Sequence, residues 1–243
     1  MSTREYLDSL ARVMGLDAAL FDEPGTTVRP SDDRLGERLV SHYRVGQHSV
    51  LLCDPDVADE LHEHGGAATA LEFDAFRSWA IEHDAVRLGT GYEHLLPDGW
   101  EAPPRPGAVV SLDGSATVTI DLVADLLDAC SDDDRDGAEF NLGALDPSLC
   151  GWDDEGALLA LAGGRPWDRR PGFHDIGVIV RPDVRRRGLG AAVVAAACAD
   201  IVAAGNRPLY RCEADNAGSW LLCRSVGFEL VVELEAFRWL GPR

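Results

Sequence analysis

Residues 175–204 read DIGVIVRPDVRRRGLGAAVVAAACADIVAA, and this order of residue types decides the fold. Ile176, Val178, Ile179 and Val180 make a β-branched run that predicts a buried strand. Arg181-Pro182 ends it, because proline cannot donate to a strand ladder. The loop Arg185-Arg186-Arg187-Gly188-Leu189-Gly190 follows, and the apolar segment over residues 190–204 predicts a buried helix closed by Gly205-Asn206. Strand, glycine loop, helix is an arrangement that collects backbone N–H groups around an anion. Gly188 and Gly190 carry no side chain to hold a ligand off the backbone. The first N–H groups of a helix lack intrahelical partners, and the helix dipole adds positive charge there. Three consecutive arginines add full charges and multidentate donors. From the residues alone, this is a phosphate cradle.

Two common phosphate loops are excluded. The dinucleotide G-x-G-x-x-G pattern needs a third glycine near Val193, and none is there. The P-loop needs Gly-Lys, and the chain contains no lysine. What remains is R-x-x-G-x-G between strand and helix, which resembles the acyl-CoA signature Q/R-x-x-G-x-G/A of the GNAT acetyltransferase superfamily. A second segment, Asn216-x-x-Ser219-x-x-Leu222-Cys223-x-x-x-Gly227-Phe228, is similar to that family's N-x-x-A-x-x-L-Y-x-x-x-G-F. The two lie in order, one helix and one strand apart. The resemblance covers about residues 108–240.

It implies an α/β fold, a GNAT-like mixed twisted sheet flanked by helices, over residues 108–243; residues 1–100 lie outside the resemblance and read by their own periodicity as a smaller α/β domain, either a lid or a degenerate copy of the same fold. The resemblance implies acetyl-CoA as co-substrate. The strand over residues 176–180 would splay from its neighbour and offer the backbone of Val178 and Val180 to the pantetheine arm. A backbone N–H there would also polarise the thioester carbonyl. Arg185, Arg186, Arg187, Gly188, Leu189, Gly190 and Ala191 would hold the pyrophosphate. Asn216 and Ser219 match positions that border the pantetheine. The chemistry implied is direct attack of an amine on the thioester, helped by a base. His174 and Asp175 occupy the region where such a base lies, and strand alternation lets only one of them face the acceptor. The family's tyrosine, which protonates the departing thiolate, is replaced by Cys223. A thiol can donate that proton, or it can be a small buried residue. Tyr210 does not match the family's tyrosine position. The competing reading is a non-catalytic CoA-binding sensor or regulatory module.

The rest of the chain bounds the partners. Net charge is −20 over 243 residues, which disfavours nucleic acid and membrane surfaces. It fits either proteome-wide bias or a cationic amine acceptor, whose identity the sequence leaves open, as it does a homodimer. Against that background Arg165, Arg169, Arg170, Arg181, Arg185, Arg186 and Arg187 concentrate in one stretch, which predicts an anion site. The six cysteines show no C-x-x-C pair, so no metal site is expected. There is no 18-residue apolar run and no signal-peptide pattern, so a cytoplasmic location is expected.

Residues 97–107, PDGWEAPPRPG, cannot continue a helix or central strand and suggest a domain boundary. Before them, periodicity predicts helices over residues 3–14, 54–64 and 71–83 and strands over residues 49–53 and 86–95. After them, strands are expected over residues 117–120, 157–162, 209–213 and 228–239, with helices over residues 122–130 and 217–226. Residues 131–137 read as an acidic loop. The acceptor site is expected near residues 122–137, Trp152 and Trp167.

Overall fold

The computed structural model of the chain describes residues 2–63, 73–114, 116–140, 148–167 and 171–240. The elements run α1 (Thr3–Met14), β1 (Gly25–Pro30), β2 (Leu39–Val45), β3 (His48–Cys53), α2 (Pro55–Glu63), α3 (Phe73–Glu82), β4 (Ala85–Leu95), β5 (Val109–Asp113), α4 (Thr117–Asp128) and α5 (Asp132–Ala138). Then follow β6 (Ser148–Asp154), β7 (Ala157–Pro166), β8 (Phe173–Val180), α6 (Leu189–Ala203), β9 (Arg207–Glu213), α7 (Ala217–Val226) and β10 (Glu229–Trp239). The architecture is mixed α/β. Among the described residues no helix is long and apolar enough to cross a membrane.

The chain divides into two compact units interleaved in sequence. One gathers His94–Arg211 and Gly218–Glu229; the other gathers Ser2–Glu93, Cys212–Ala217 and Leu230–Arg243. Residues 97–107 are tied into the first. Trp100 Nε1 donates to the Val226 carbonyl at 3.0 Å, Arg207 to Asp98 at 2.7 Å, and Arg105 to Asp200 at 2.6 Å. The last strand belongs with the N-terminal elements, so one cut in the proline-rich segment does not reproduce the division.

In the first unit the strand order is β9-β8-β7-β6-β5, with β8 and β9 parallel and the other pairs antiparallel. One face is covered by α4 and α5 through Val123, Leu126, Leu127 and Ala138, which pack with Leu161 and Ile179. Residues of opposite parity meet α6: the Cβ position of Gly164 faces Ile201, and that of Gly190 faces Val180. In the second unit the order is β1-β3-β2-β10-β4. Its core joins Val40 and Leu51 of the sheet to Val57 and Leu61 of α2 and Phe76 of α3.

Two sequence expectations are overturned. Residues 117–120, expected as a strand, are the first turn of α4. Thr119, Val123, Leu126 and Leu127 recur at helical spacing and are buried, and that burial overrides the β propensity of the Thr117–Ile120 run. Residues 131–137, expected as an acidic loop, lie largely in α5. Ser131 Oγ accepts from the Asp134 N–H and the Asp134 carboxylate accepts from the Ser131 N–H, both at 3.2 Å. This reciprocal cap, with acidic residues in the first turn, stabilises a helix start that composition alone reads as solvated coil.

Candidate active site

β8 is paired with β7 along its whole length, from Pro166↔His174 to Ala160↔Val180. On its other edge it shares three rungs with β9: Phe173↔Arg207, His174↔Pro208 and Asp175↔Leu209. β8 then runs on to Val180 with no further described rung. The Arg181 N–H donates to the Leu159 carbonyl on the β7 side at 2.9 Å. Main-chain groups alternate between the two edges of a strand, so Val178 and Val180 direct theirs away from β7, into the opening. The Val180 carbonyl there accepts from Arg185 Nε at 3.1 Å.

The loop to α6 passes through a short 3-10 turn, Pro182–Val184. Arg186 and Gly188 are left-handed, with φ of 64° and 86°. Gly188 caps α6 with no side-chain hydrogen bond, and the Ala192 N–H closes onto its carbonyl at 3.1 Å. The N–H groups of Leu189, Gly190 and Ala191 thus belong to the first turn, where no intrahelical acceptor exists. The two glycines serve different ends. A Cβ on Gly188 would meet nothing within 4 Å; the conformation requires the glycine. A Cβ on Gly190 would lie 2.7 Å from Leu222 Cδ1 and 3.1 Å from Val180 Cγ2. Gly190 therefore lets α6 approach β8 and α7, where the sequence suggested room for a ligand.

The arginines also divide. Arg185 pairs with Asp134 of α5 at 2.7 Å, and this hydrogen bond holds the Asp134 carboxyl below its ordinary range. Arg181 grips Asp183 with two contacts of 3.0 Å. Arg186 and Arg187 are exposed, and Arg186 has no ion-pair partner among the described residues. Arg165 instead joins Glu139 and lies 3.7 Å from Asp175. Arg169 and Arg170 lie outside the described residues.

His174 and Asp175 turn to opposite faces. His174, on the α6 face, is partly buried, and its Nδ1 meets the Gly164 carbonyl at 3.1 Å. A carbonyl only accepts, so Nδ1 donates and Nε2 is the basic nitrogen of the neutral ring. Asp175 shares the α4–α5 face. It is buried and held by Arg211, Nε at 3.1 Å and Nη2 at 2.7 Å. Burial pushes its carboxyl up, and the Arg211 hydrogen bond and charge oppose that shift. The Arg211 guanidinium lies over the Trp167 ring at 4.0 Å. Sequence reading missed Arg211; its only signal was strand alternation, two residues past Leu209, and that speaks only once the register is known.

On α7, Cys223 is fully buried and its Sγ donates to the Trp220 carbonyl at 3.2 Å. That is the placement of a small core residue, and it does not support the proton-donor role expected for the thiol. One turn earlier, Ser219 is partly buried, and its Oγ shares a hydrogen bond of 2.8 Å with Tyr210 Oη. In the sequence Tyr210 matches no family motif. Asn216 is exposed, with its N–H bonded to the Glu213 carbonyl at 3.1 Å.

Comparison with known proteins agrees with this geometry. The family model described as Acetyltransferase (GNAT) family matches residues 120–228. A GNAT-family acetyltransferase from Colwellia psychrerythraea is similar over 78% of this chain and 76% of its own, at 12% identity and a TM-score of 0.54. A GCN5-related N-acetyltransferase from Kribbella flavida is similar over 100% of this chain and 97% of its own, at 16% identity and a TM-score of 0.50. At such identities the likeness is one of fold. Among curated proteins, 91 residues, 37% of this chain, are 34% identical to an ATP phosphoribosyltransferase of Rhodococcus jostii (strain RHA1). That match spans 31% of the relative's length. Over residues 120–228 the chain carries a domain of the acetyltransferase (GNAT) family.

Proposed function

We propose that the chain binds acetyl-CoA where β8 and β9 part and transfers the acetyl group to an amine. The observation that carries this reading is the end of the β8–β9 ladder at Asp175↔Leu209, beside an α6 start capped only by left-handed Gly188. Val178 and Val180 would pair with the pantetheine amides. The loop backbone from Arg186 to Ala191, with the exposed Arg186 and Arg187, would hold the pyrophosphate. Arg185, already engaged by Asp134 and Val180, would order the loop. Ser219 would border the arm.

Of the two candidate bases we favour Asp175. It faces α4 and α5, the side from which the acceptor is expected, and burial raises its affinity for a proton. His174 faces α6. The acceptor is a small-molecule, peptide or protein amine, and the acidic chain favours a cationic one. The second reading, a CoA-binding regulatory module, draws on the burial of Cys223, which leaves the family's acid position without an accessible donor.

Calorimetric titration with acetyl-CoA, followed by thiol release over a panel of amines, tests both. Binding with release supports the transferase; binding without release on any amine supports the regulatory module; no binding overturns both.

A further inference from the structure

Aminolysis of a thioester breaks a C–S bond, and at neutral pH the departing sulfur ends as a thiol, so a proton must reach it. Cys223 has no exposure through which to supply one. Tyr210 is differently placed. It is the residue of β9 immediately after Leu209, the last residue that shares a rung with β8. Strand alternation sets it on the face opposite Asp175, toward α6 and α7. Its ring is 1% exposed and packs 5.4 Å from the Phe228 ring, and its carbonyl lies 3.3 Å from His94 Nδ1. A bulky phenol is thus anchored at the point where the strands separate. Its hydroxyl reaches the one α7 side chain, Ser219, that stands a helical turn ahead of Cys223 on the same face. The cysteine is small where the phenol is large, and Tyr210 brings a hydroxyl to α7 from the neighbouring strand.

We infer that Ser219 hands the proton to the leaving CoA sulfur and that Tyr210 stands behind it as the proton source, an inference that rests on the acyl-CoA reading above. When the tetrahedral adduct collapses, the C–S bond breaks and its electron pair goes to sulfur. Sulfur takes the Ser219 hydroxyl proton as Ser219 takes the Tyr210 phenolic proton, and the phenolate is reprotonated from water. The acceptor ammonium sheds two protons in forming the amide; one replaces the proton delivered to sulfur and the other is released. Ser219 touches the reacting atom, and Tyr210 is the positioning residue that acts through it.

The test needs no acceptor. A donor chain aimed at the sulfur lowers the pKa of bound CoA thiol, which is read from thiolate absorbance as the difference between CoA and desulfo-CoA complexes across pH. The expected shift in the native protein is about one unit below free CoA. Tyr210→Phe should remove roughly half of it, and Ser219→Ala all of it. CoA affinity at pH 6, where the thiol is protonated, should stay within about twofold in Tyr210→Phe, because pyrophosphate contacts dominate binding there. If Tyr210→Phe does not fold, Ser219→Ala, at a partly exposed position, carries the test alone. A normal thiol pKa in the native complex overturns the relay, as does a shift that survives both variants or is lost only in Cys223→Ala. Failure of CoA to bind overturns the acyl-CoA reading itself.

Discussion

Arg211 closes on Asp175 with two hydrogen bonds, at 3.1 and 2.7 Å, directly across the last rung that β8 and β9 share. Its guanidinium is backed by the Trp167 ring and its partner is buried, so the pair fixes the place where the two strands cease to be neighbours. Beyond it the Val178 and Val180 main chain is turned to the opening.

Arg211→Met leaves the buried Asp175 carboxylate with Arg165, at 3.7 Å, as its one remaining ion-pair partner among the described residues. We expect a loss of about 2 kcal/mol at pH 7, below the usual range for breaking a buried pair because Arg211 is 34% exposed. Burial already raises the folded-state affinity of Asp175 for a proton, and removal of Arg211 raises it further. The loss should therefore shrink as pH falls toward 4, because the buried carboxyl takes up its proton before the unfolded one does. Urea unfolding at the two pH values measures this; an equal loss at both would mean that the pair is not coupled to protonation.

Three glycines near the site should rank by what a methyl group meets. At Gly177 it would lie 2.7 Å from the Ala138 carbonyl, a backbone atom at the end of α5. At Gly190 the nearest atom is a leucine methyl that can swing aside. At Gly188 only the left-handed backbone resists. Losses of about 3, 1.5 and 1 kcal/mol are expected for Gly177→Ala, Gly190→Ala and Gly188→Ala. Unfolding midpoints give the order, and a Gly190 loss above that of Gly177 would contradict it.

Ser131→Ala removes the cap of α5 and should cost about 1 kcal/mol. Asp134 supplies the other half of that cap and also pairs with Arg185. Fraying of α5 should therefore free Arg185 and weaken acetyl-CoA binding several-fold. Calorimetry on the variant checks the link; full affinity with lowered stability would sever it.

His42 is buried between Phe73 and Phe76, with ring centroids at 4.4 and 4.7 Å, and neither ring nitrogen has a hydrogen-bond partner among the described residues. Burial, aided by Arg44 and Arg77, pushes its pKa down to about 3 from 6.5. The unfolded chain therefore takes up a proton below about pH 6.5 that the folded chain refuses. Stability should fall by up to about 1.4 kcal/mol per pH unit from 6.5 toward 3. His42→Phe should flatten that slope and raise the midpoint at pH 5; an unchanged slope would place the pH dependence elsewhere.

Residues 175–204 determined much by themselves. A β-branched run, a proline, left-handed-tolerant glycines and an apolar helix are local features, and local sterics and periodicity place the helix to within a residue and the end of the strand at Val180, while the strand itself begins three residues earlier than expected, at Phe173. α7 was legible for the same reason. What failed in the sequence was decided by contacts between distant segments. The Thr117–Ile120 run is helical because α4 buries against Leu161 and Ile179, and propensity cannot see a surface supplied by other strands. The acidic stretch is helical because Ser131 and Asp134 cap each other, a pairing legible in principle but outweighed by three consecutive aspartates. The site was legible as a loop and not as a constellation. That Asp175 meets Arg211, that Cys223 is buried while Tyr210 reaches Ser219, and that Gly190 makes room for Leu222 all depend on strand register and helix approach. Both are set only when side chains from separated elements compete for the same buried volume.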